Sequence, residues 1–192
     1  DDSPEDPVAL DTVKAMIETC GGEDFTDVRD KALLLFLLDT GARASETLAV
    51  NWGDVDIEGG AVMLRHTKNH RQRVVFLGVR ARRALLRYVK KRQNLDPGDA
   101  LWVGVHKRER LSYWGLRQIL RRRADYANVE TPSAHDFRRA FCLASLRNGM
   151  GVFSLQRLAG HADLSTTRRY LKQVKDDLRR AHEEHSPVDG ML

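Results

Sequence analysis

Two arginines, one lysine, two histidines and one tyrosine stand in this 192-residue chain in settings that suit chemistry at a phosphate. Arg43 follows Thr40-Gly41-Ala42 and precedes Ser45-Glu46. Lys68 lies in the polar stretch 67–72. His135 and Arg138 are three apart in Ser133-Ala134-His135-Asp136-Phe137-Arg138. His161 follows Leu158-Ala159-Gly160, and Tyr170 comes nine residues later, in Ser165-Thr166-Thr167-Arg168-Arg169-Tyr170-Leu171. These residue types are what phosphoryl transfer without a metal requires. Two guanidiniums clamp the non-bridging oxygens bidentately, and a neutral imidazole donates a further hydrogen bond. A phenol, with a pKa of about 10, becomes an effective nucleophile only beside a base or in a cationic field. A departing sugar oxygen needs a proton, which a lysine can supply. The sequence has neither a carboxylate cluster of the metal-site kind nor a phosphate-cradling Gly-Lys loop. Each feature alone has a blander reading. A histidine near an arginine is more often structural, a tyrosine on a short helix usually packs, and a lysine in a turn usually aids solubility. Only the set of six points to chemistry.

Helices and one small sheet must position these groups. Asp11 predicts a cap for a helix over 12–18, ended by Gly21-Gly22. Thr26 predicts a cap for a second helix, about 27–39, which stops at Thr40-Gly41 and contains the apolar run 32–38. A short helix follows over 44–50. An arginine at its start suits the macrodipole poorly but suits a bound phosphate, and Glu46 could orient that guanidinium. Residues 55–57, 61–64 and 73–77 read as strands of a three-stranded antiparallel sheet, with Gly59-Gly60 in the first turn and 67–72 forming the second. Helical texture returns over 79–93. A turn at 96–99 and an extended piece at 102–103 come next. Ser112 then caps a helix to about Tyr126. Another helix, about 133–148, ends at Gly149. Its spacing puts His135 and Arg138 on one face and turns Phe137 and Phe141 to the core. Shorter helices follow over 152–158, 165–172 and 174–184. The fold class is α+β, mainly α-helical, with one small three-stranded antiparallel sheet. Residues 1–10 read as a linker, 11–185 as one domain and 186–192 as a flexible tail.

Hydrophobic residues make up 42% of the chain and charged residues 31%, as in an ordinary globular protein. No apolar run approaches the ~20 residues of a membrane helix, so no membrane partner is expected. The acidic, proline-containing start lacks the basic and apolar regions of a signal peptide. Two distant cysteines suggest neither zinc nor a disulfide framework, and a reducing cytoplasm is the expected setting. Net charge is +5 and the pI about 9.4. The excess gathers in residues 65–73, 80–92 and 117–123. Any one of these stretches reads most simply as a solvated face. Three in a small chain favour a polyanion such as DNA.

In its ordered motifs the chain resembles the tyrosine recombinase, or phage integrase, family. Thr40-Gly41-Ala42-Arg43-Ala44-Ser45-Glu46 resembles the family's T-G-x-R-x-S-E. Thr67-Lys68 through Arg73-Val74-Val75-Phe76-Leu77 resembles its lysine hairpin. His135-Asp136-Phe137-Arg138 fits H-x-x-R, and Leu158-Ala159-Gly160-His161 through Thr166-Thr167-Arg168-Arg169-Tyr170 fits L-G-H followed by T-T-x-x-Y. The resemblance implies a catalytic domain in which Tyr170 attacks the scissile phosphate of double-stranded DNA and forms a 3′-phosphotyrosyl link. It implies that Arg43 and Arg138 bind the phosphate, that Lys68 protonates the 5′ oxygen, that His135 assists proton transfer and that His161 hydrogen-bonds the phosphate. It implies no metal, ATP or other cofactor, and a homotetramer on DNA for a full-length protein, with a monomer for a catalytic fragment. Family members usually carry an N-terminal DNA-binding domain, so a start this close to the catalytic motifs suggests a domain fragment. Arg139 stands where many relatives have His, and Phe76 where proline is frequent.

Three other readings share parts of this pattern. A type IB topoisomerase-like or telomere-resolving enzyme has the same chemistry without strand exchange. A DNA-binding module would keep the fold and lose cleavage. An RNA-cleaving enzyme would use His135 and His161 as acid and base and would not need Tyr170.

Overall fold

The computed structural model describes residues 10–65, 72–106 and 109–160. They group into two compact units, Asp1–Phe141 and Cys142–Leu192. In chain order the elements are α1 (Leu10–Glu18), α2 (Phe25–Thr40), α3 (Ala44–Ala49), a 3₁₀ turn (Trp52–Asp54), β1 (Val55–Asp56), β2 (Ala61–Leu64), β3 (Arg73–Phe76), α4 (Val79–Arg92), α5 (Tyr113–Ala127), α6 (Ala134–Arg147) and α7 (Val152–Ala159). The described chain is therefore α+β and mainly helical, with the small antiparallel sheet in the order β1-β2-β3. Of the linker expected over residues 1–10, Leu10 instead opens α1; residues 1–9, residues 67–71 of the expected second sheet turn, the helices expected over 165–172 and 174–184 and the tail lie outside the described residues.

The first unit is built round α2. Its run Ala32-Leu33-Leu34-Leu35-Phe36-Leu37-Leu38 has apolar residues on every side, which suits a helix enclosed by others. Leu33, Leu34, Phe36 and Leu37 are buried. The expected cap is corrected by two residues. Asp24, not Thr26, caps α2, because its Oδ1 accepts the backbone N–H of Asp27 at 2.9 Å. The Thr26 hydroxyl lies inside the first turn and donates to the same oxygen at 2.5 Å. Similarly, α1 begins at Leu10, so Asp11 lies in its first turn and is not its cap. On α4, Ala81, Ala84, Leu85 and Tyr88 form the i, i+3, i+4, i+7 stripe that is buried. Tyr88 stacks on Trp102, which meets Phe36 edge-on, each pair with ring centroids 5.4 Å apart. Such pairs contribute about 0.5–1.5 kcal/mol beyond the area they bury.

One charged group crosses this core. Asp30 is fully buried; its Oδ1 accepts from Arg29 and its Oδ2 from Arg122 and Arg123. Arg123 also reaches Asp27 and the carbonyl of Thr19, tying α5 to α2 and to the end of α1. A carboxylate this deep persists because three guanidiniums replace its water.

The sheet follows strand alternation. Val62, Leu64 and Val75 turn inward, while Val74 and Phe76 face out. Its register pairs Val62 with Val75 and Leu64 with Arg73, so Leu64 ends β2 directly opposite Arg73, which opens β3. In the second unit, the end of α6 turns at Gly149 (φ 86°), and α7 stops at Gly160 (φ 67°).

Candidate active site

The Thr40–Arg43 turn explains its own residue types. Thr40 is buried, and its hydroxyl donates to the carbonyl of Phe36 at 2.7 Å while accepting the N–H of Ala42 at 3.2 Å. Gly41 ends α2 in the left-handed region, at φ 57°. A Cβ at this position would lie 2.2 Å from Cδ1 of Phe141 on α6. Glycine is therefore required both by conformation and by contact. Two residues later the chain leaves the turn, and Arg43 becomes the N-cap of α3.

Arg43 is held by Glu46. Its backbone N–H donates to Glu46 Oε2 at 2.8 Å and its Nη1 to Oε1 at 2.9 Å. Glu46 is 1% exposed, and Arg73 of β3 grips both of its oxygens, at 2.7 and 2.8 Å. Burial alone would raise the Glu46 carboxyl. The Arg73 hydrogen bonds, the Arg43 N–H and the two guanidinium charges outweigh it and hold the group below its ordinary value. This ion pair also accounts for an arginine at the positive end of a helix: Glu46, in the first turn of α3, supplies the anion the macrodipole favours.

Arg138 approaches the same turn from α6. It is 3% exposed, and its Nη1 donates to the carbonyl of Gly41 at 2.8 Å. The helix that carries it starts with a reciprocal cap. The Ser133 N–H and hydroxyl donate to Asp136 Oδ2 at 2.8 and 2.7 Å, and the Asp136 N–H donates back to Ser133 Oγ. His135 lies in that first turn, on the exposed side. Partial desolvation and the positive charges of Arg138, Arg139 and Arg43, against the opposing effect of Asp136, hold its imidazole below the ordinary value. It is thus neutral near pH 7, able to accept one proton or donate one hydrogen bond.

Of the six expected site residues, the structure gathers Arg43, His135 and Arg138 round the turn between α2 and α3. Lys68, His161 and Tyr170 lie outside the described residues. Sequence reasoning missed Arg73. The available signal was strand parity, since Arg73 shares its face with Val75 and Leu77, which point inward, and a charge on that face needs a buried partner. The basic stretches also read differently in three dimensions. Arg65 pairs with Asp54, Arg73 with Glu46, Arg87 with Glu23, and Arg122 and Arg123 with Asp30. Part of that positive charge is therefore paired within the fold.

The model of the Phage integrase family matches residues 8–176. The tyrosine recombinase XerA of Saccharolobus solfataricus is 35% identical over 151 residues, covering 79% of this chain and 48% of that protein. The tyrosine recombinase XerD of Halalkalibacterium halodurans is 29% identical over 185 residues, covering 94% and 61%. The chain thus spans about half to three-fifths of the length of these curated relatives. A crystal structure of XerA recombinase matches with a TM-score of 0.80 and 28% identity, covering 96% of this chain and 67% of that one. The catalytic domain of bacteriophage HP1 integrase matches in fold, with a TM-score of 0.65, 17% identity and 95% of each chain covered.

Proposed function

Because the chain belongs to the phage integrase family, we propose that it is the catalytic domain of a site-specific tyrosine recombinase that cleaves and rejoins double-stranded DNA. In this reading residues 11–185 form the domain, residues 1–10 lead from an upstream DNA-binding domain and 186–192 are a flexible tail. The relatives' names and their greater length support the assignment, and the fold likeness to the catalytic domain of a phage integrase, over 95% of each chain, agrees with it.

The Tyr170 hydroxyl oxygen attacks the scissile phosphorus and gives up its proton with the help of neutral His135. The phosphorus–5′ oxygen bond breaks, and Lys68 protonates the departing oxygen. The products are a 3′-phosphotyrosine and a free 5′ hydroxyl. Arg43 and Arg138 neutralise and orient the non-bridging oxygens, and His161 adds a hydrogen bond. One phosphodiester replaces another, so the step needs neither ATP nor a metal. The 5′ hydroxyl of a second strand reverses it. A homotetramer on DNA would bring the strands together in a full-length protein working in the cytoplasm, while the catalytic domain alone is a monomer.

The observation that carries this reading is the joint anchoring of Arg43 and Arg138 on one turn, beside a histidine kept neutral by partial burial and by neighbouring positive charges, theirs among them. The test is a nicked duplex bearing the cognate site, from which the released strand cannot religate. The intact protein is expected to form a covalent adduct that is lost in Tyr170→Phe. No adduct from the wild type, or an adduct that survives Tyr170→Phe, overturns the assignment.

A further inference from the structure

We propose that Arg73 is a positioning residue for Arg43, acting through Glu46; the proposal rests on the recombinase reading above. A phosphate clamp gains its rate from being aimed before the substrate arrives. Arg43 is poorly suited to aim itself. Its side chain is 36% exposed, and a free arginine side chain is spread over many rotamers. What fixes it is one carboxylate. That carboxylate is itself fixed from the opposite side by the fork of Arg73, whose side chain is only 12% exposed. The two Arg73 bonds set the plane of Glu46 and leave Oε1 to accept from the Arg43 guanidinium and Oε2 from the Arg43 N–H.

Arg73 also acts on charge. Arg43 and Glu46 alone sum to zero, so the carboxylate would cancel the charge meant for the phosphate. With Arg73 the group sums to +1, and the positive end left facing outward belongs to Arg43. The backbone makes the arrangement rigid. Arg73 opens β3 opposite Leu64, and Glu46 lies in the first turn of α3, so two separate elements meet at one carboxylate. Lysine could supply the charge but not the fork.

The test compares single-turnover cleavage by the intact protein on two nicked duplexes. One has an ordinary scissile phosphodiester and the other a methylphosphonate, which lacks the negative charge that Arg43 is there to meet. Arg73→Gln is expected to slow phosphodiester cleavage by roughly 10²-fold and methylphosphonate cleavage far less, the same pattern being expected of Arg43→Ala. Arg73→Lys is expected to fall between Arg73→Gln and the wild type in the ratio of the two rates. That ratio comes from a single preparation, so the fraction folded cancels. If Arg73→Gln folds too poorly to assay, Arg73→Lys carries the same comparison. Equal losses on both substrates would show a merely structural role, and no loss on either would show no role at all; each overturns the proposal while leaving the recombinase reading intact. If the wild type makes no Tyr170-dependent adduct, the recombinase reading fails and this proposal with it.

Discussion

Arg138 reaches back ninety-seven positions to donate a 2.8 Å hydrogen bond to the carbonyl of Gly41. Three residues further along α6, Phe141 fills the space where a side chain on residue 41 would stand. The two contacts lock α6 to the end of α2, and Arg43 follows two residues later. Gly41 therefore sets the spacing between the two arginines.

Gly41→Ala is accordingly expected to cost stability in two separable parts. Left-handed backbone at a non-glycine residue costs roughly 1–2 kcal/mol, and the clash with Phe141 adds about 1–3 kcal/mol. In a Phe141→Leu background the second part should shrink and the first persist, which denaturant unfolding of the four variants would measure. If the penalty were the same in both backgrounds, Phe141 would not be the obstacle.

The buried Asp30 is expected to matter for stability and not for cleavage. Asp30→Asn strands Arg29, Arg122 and Arg123 without their shared anion and should cost about 3–5 kcal/mol. A lower urea midpoint with unchanged slope, and with normal cleavage per folded molecule, is the predicted signature. A change smaller than about 1 kcal/mol would mean the three arginines find other partners.

Glu46 makes a prediction about acid. Its carboxyl ionises more readily in the folded chain than in the unfolded one, where 4.5 is ordinary. The stabilisation is therefore complete above that value and is lost as pH falls through the lower, folded value. The stability gap between the wild type and Glu46→Gln should be widest near neutrality and close on acidification below 4.5. Thermal unfolding across pH 3–7, on the order of one scan per half unit, tests the linkage. Parallel curves for the two proteins would contradict it.

His135 should titrate below the ordinary histidine value of 6.5, because protonation adds charge in partial burial beside Arg138, Arg139 and Arg43. Arg139→Gln removes one of those charges and should move the imidazole upward, as followed by NMR of the ring protons. In the proposed mechanism the cleavage rate should stay flat near neutrality and fall on acidification through the His135 value. An imidazole that titrates at or above 6.5 would rule out this electrostatic account.

Much of the architecture was legible because it depends on local chemistry. The apolar run of α2, the glycine at its end, the Ser112 cap whose hydroxyl accepts the Gly115 N–H at 3.0 Å and the alternation of β2 and β3 are short-range signals, and these elements lie within a few residues of where the sequence puts them. Asp24 displaced Thr26 as a cap because two oxygen-bearing residues stood close enough for either to serve, and only the backbone geometry chose between them.

The sequence by itself determined the inventory: two arginines, a lysine, two histidines and a tyrosine, in an order and setting that resemble a known family. It could also suggest that Glu46 orients Arg43, since three positions separate them on one helical turn. It could not say that Arg73 completes that ion pair from β3, that Arg138 holds the Gly41 carbonyl, or that Arg123 is spent on Asp30. Those partners lie 27, 97 and 93 positions apart. A charge on one element becomes buried only when another packs over it, so its partner is chosen by the closing of the core and not by the chain's local spacing.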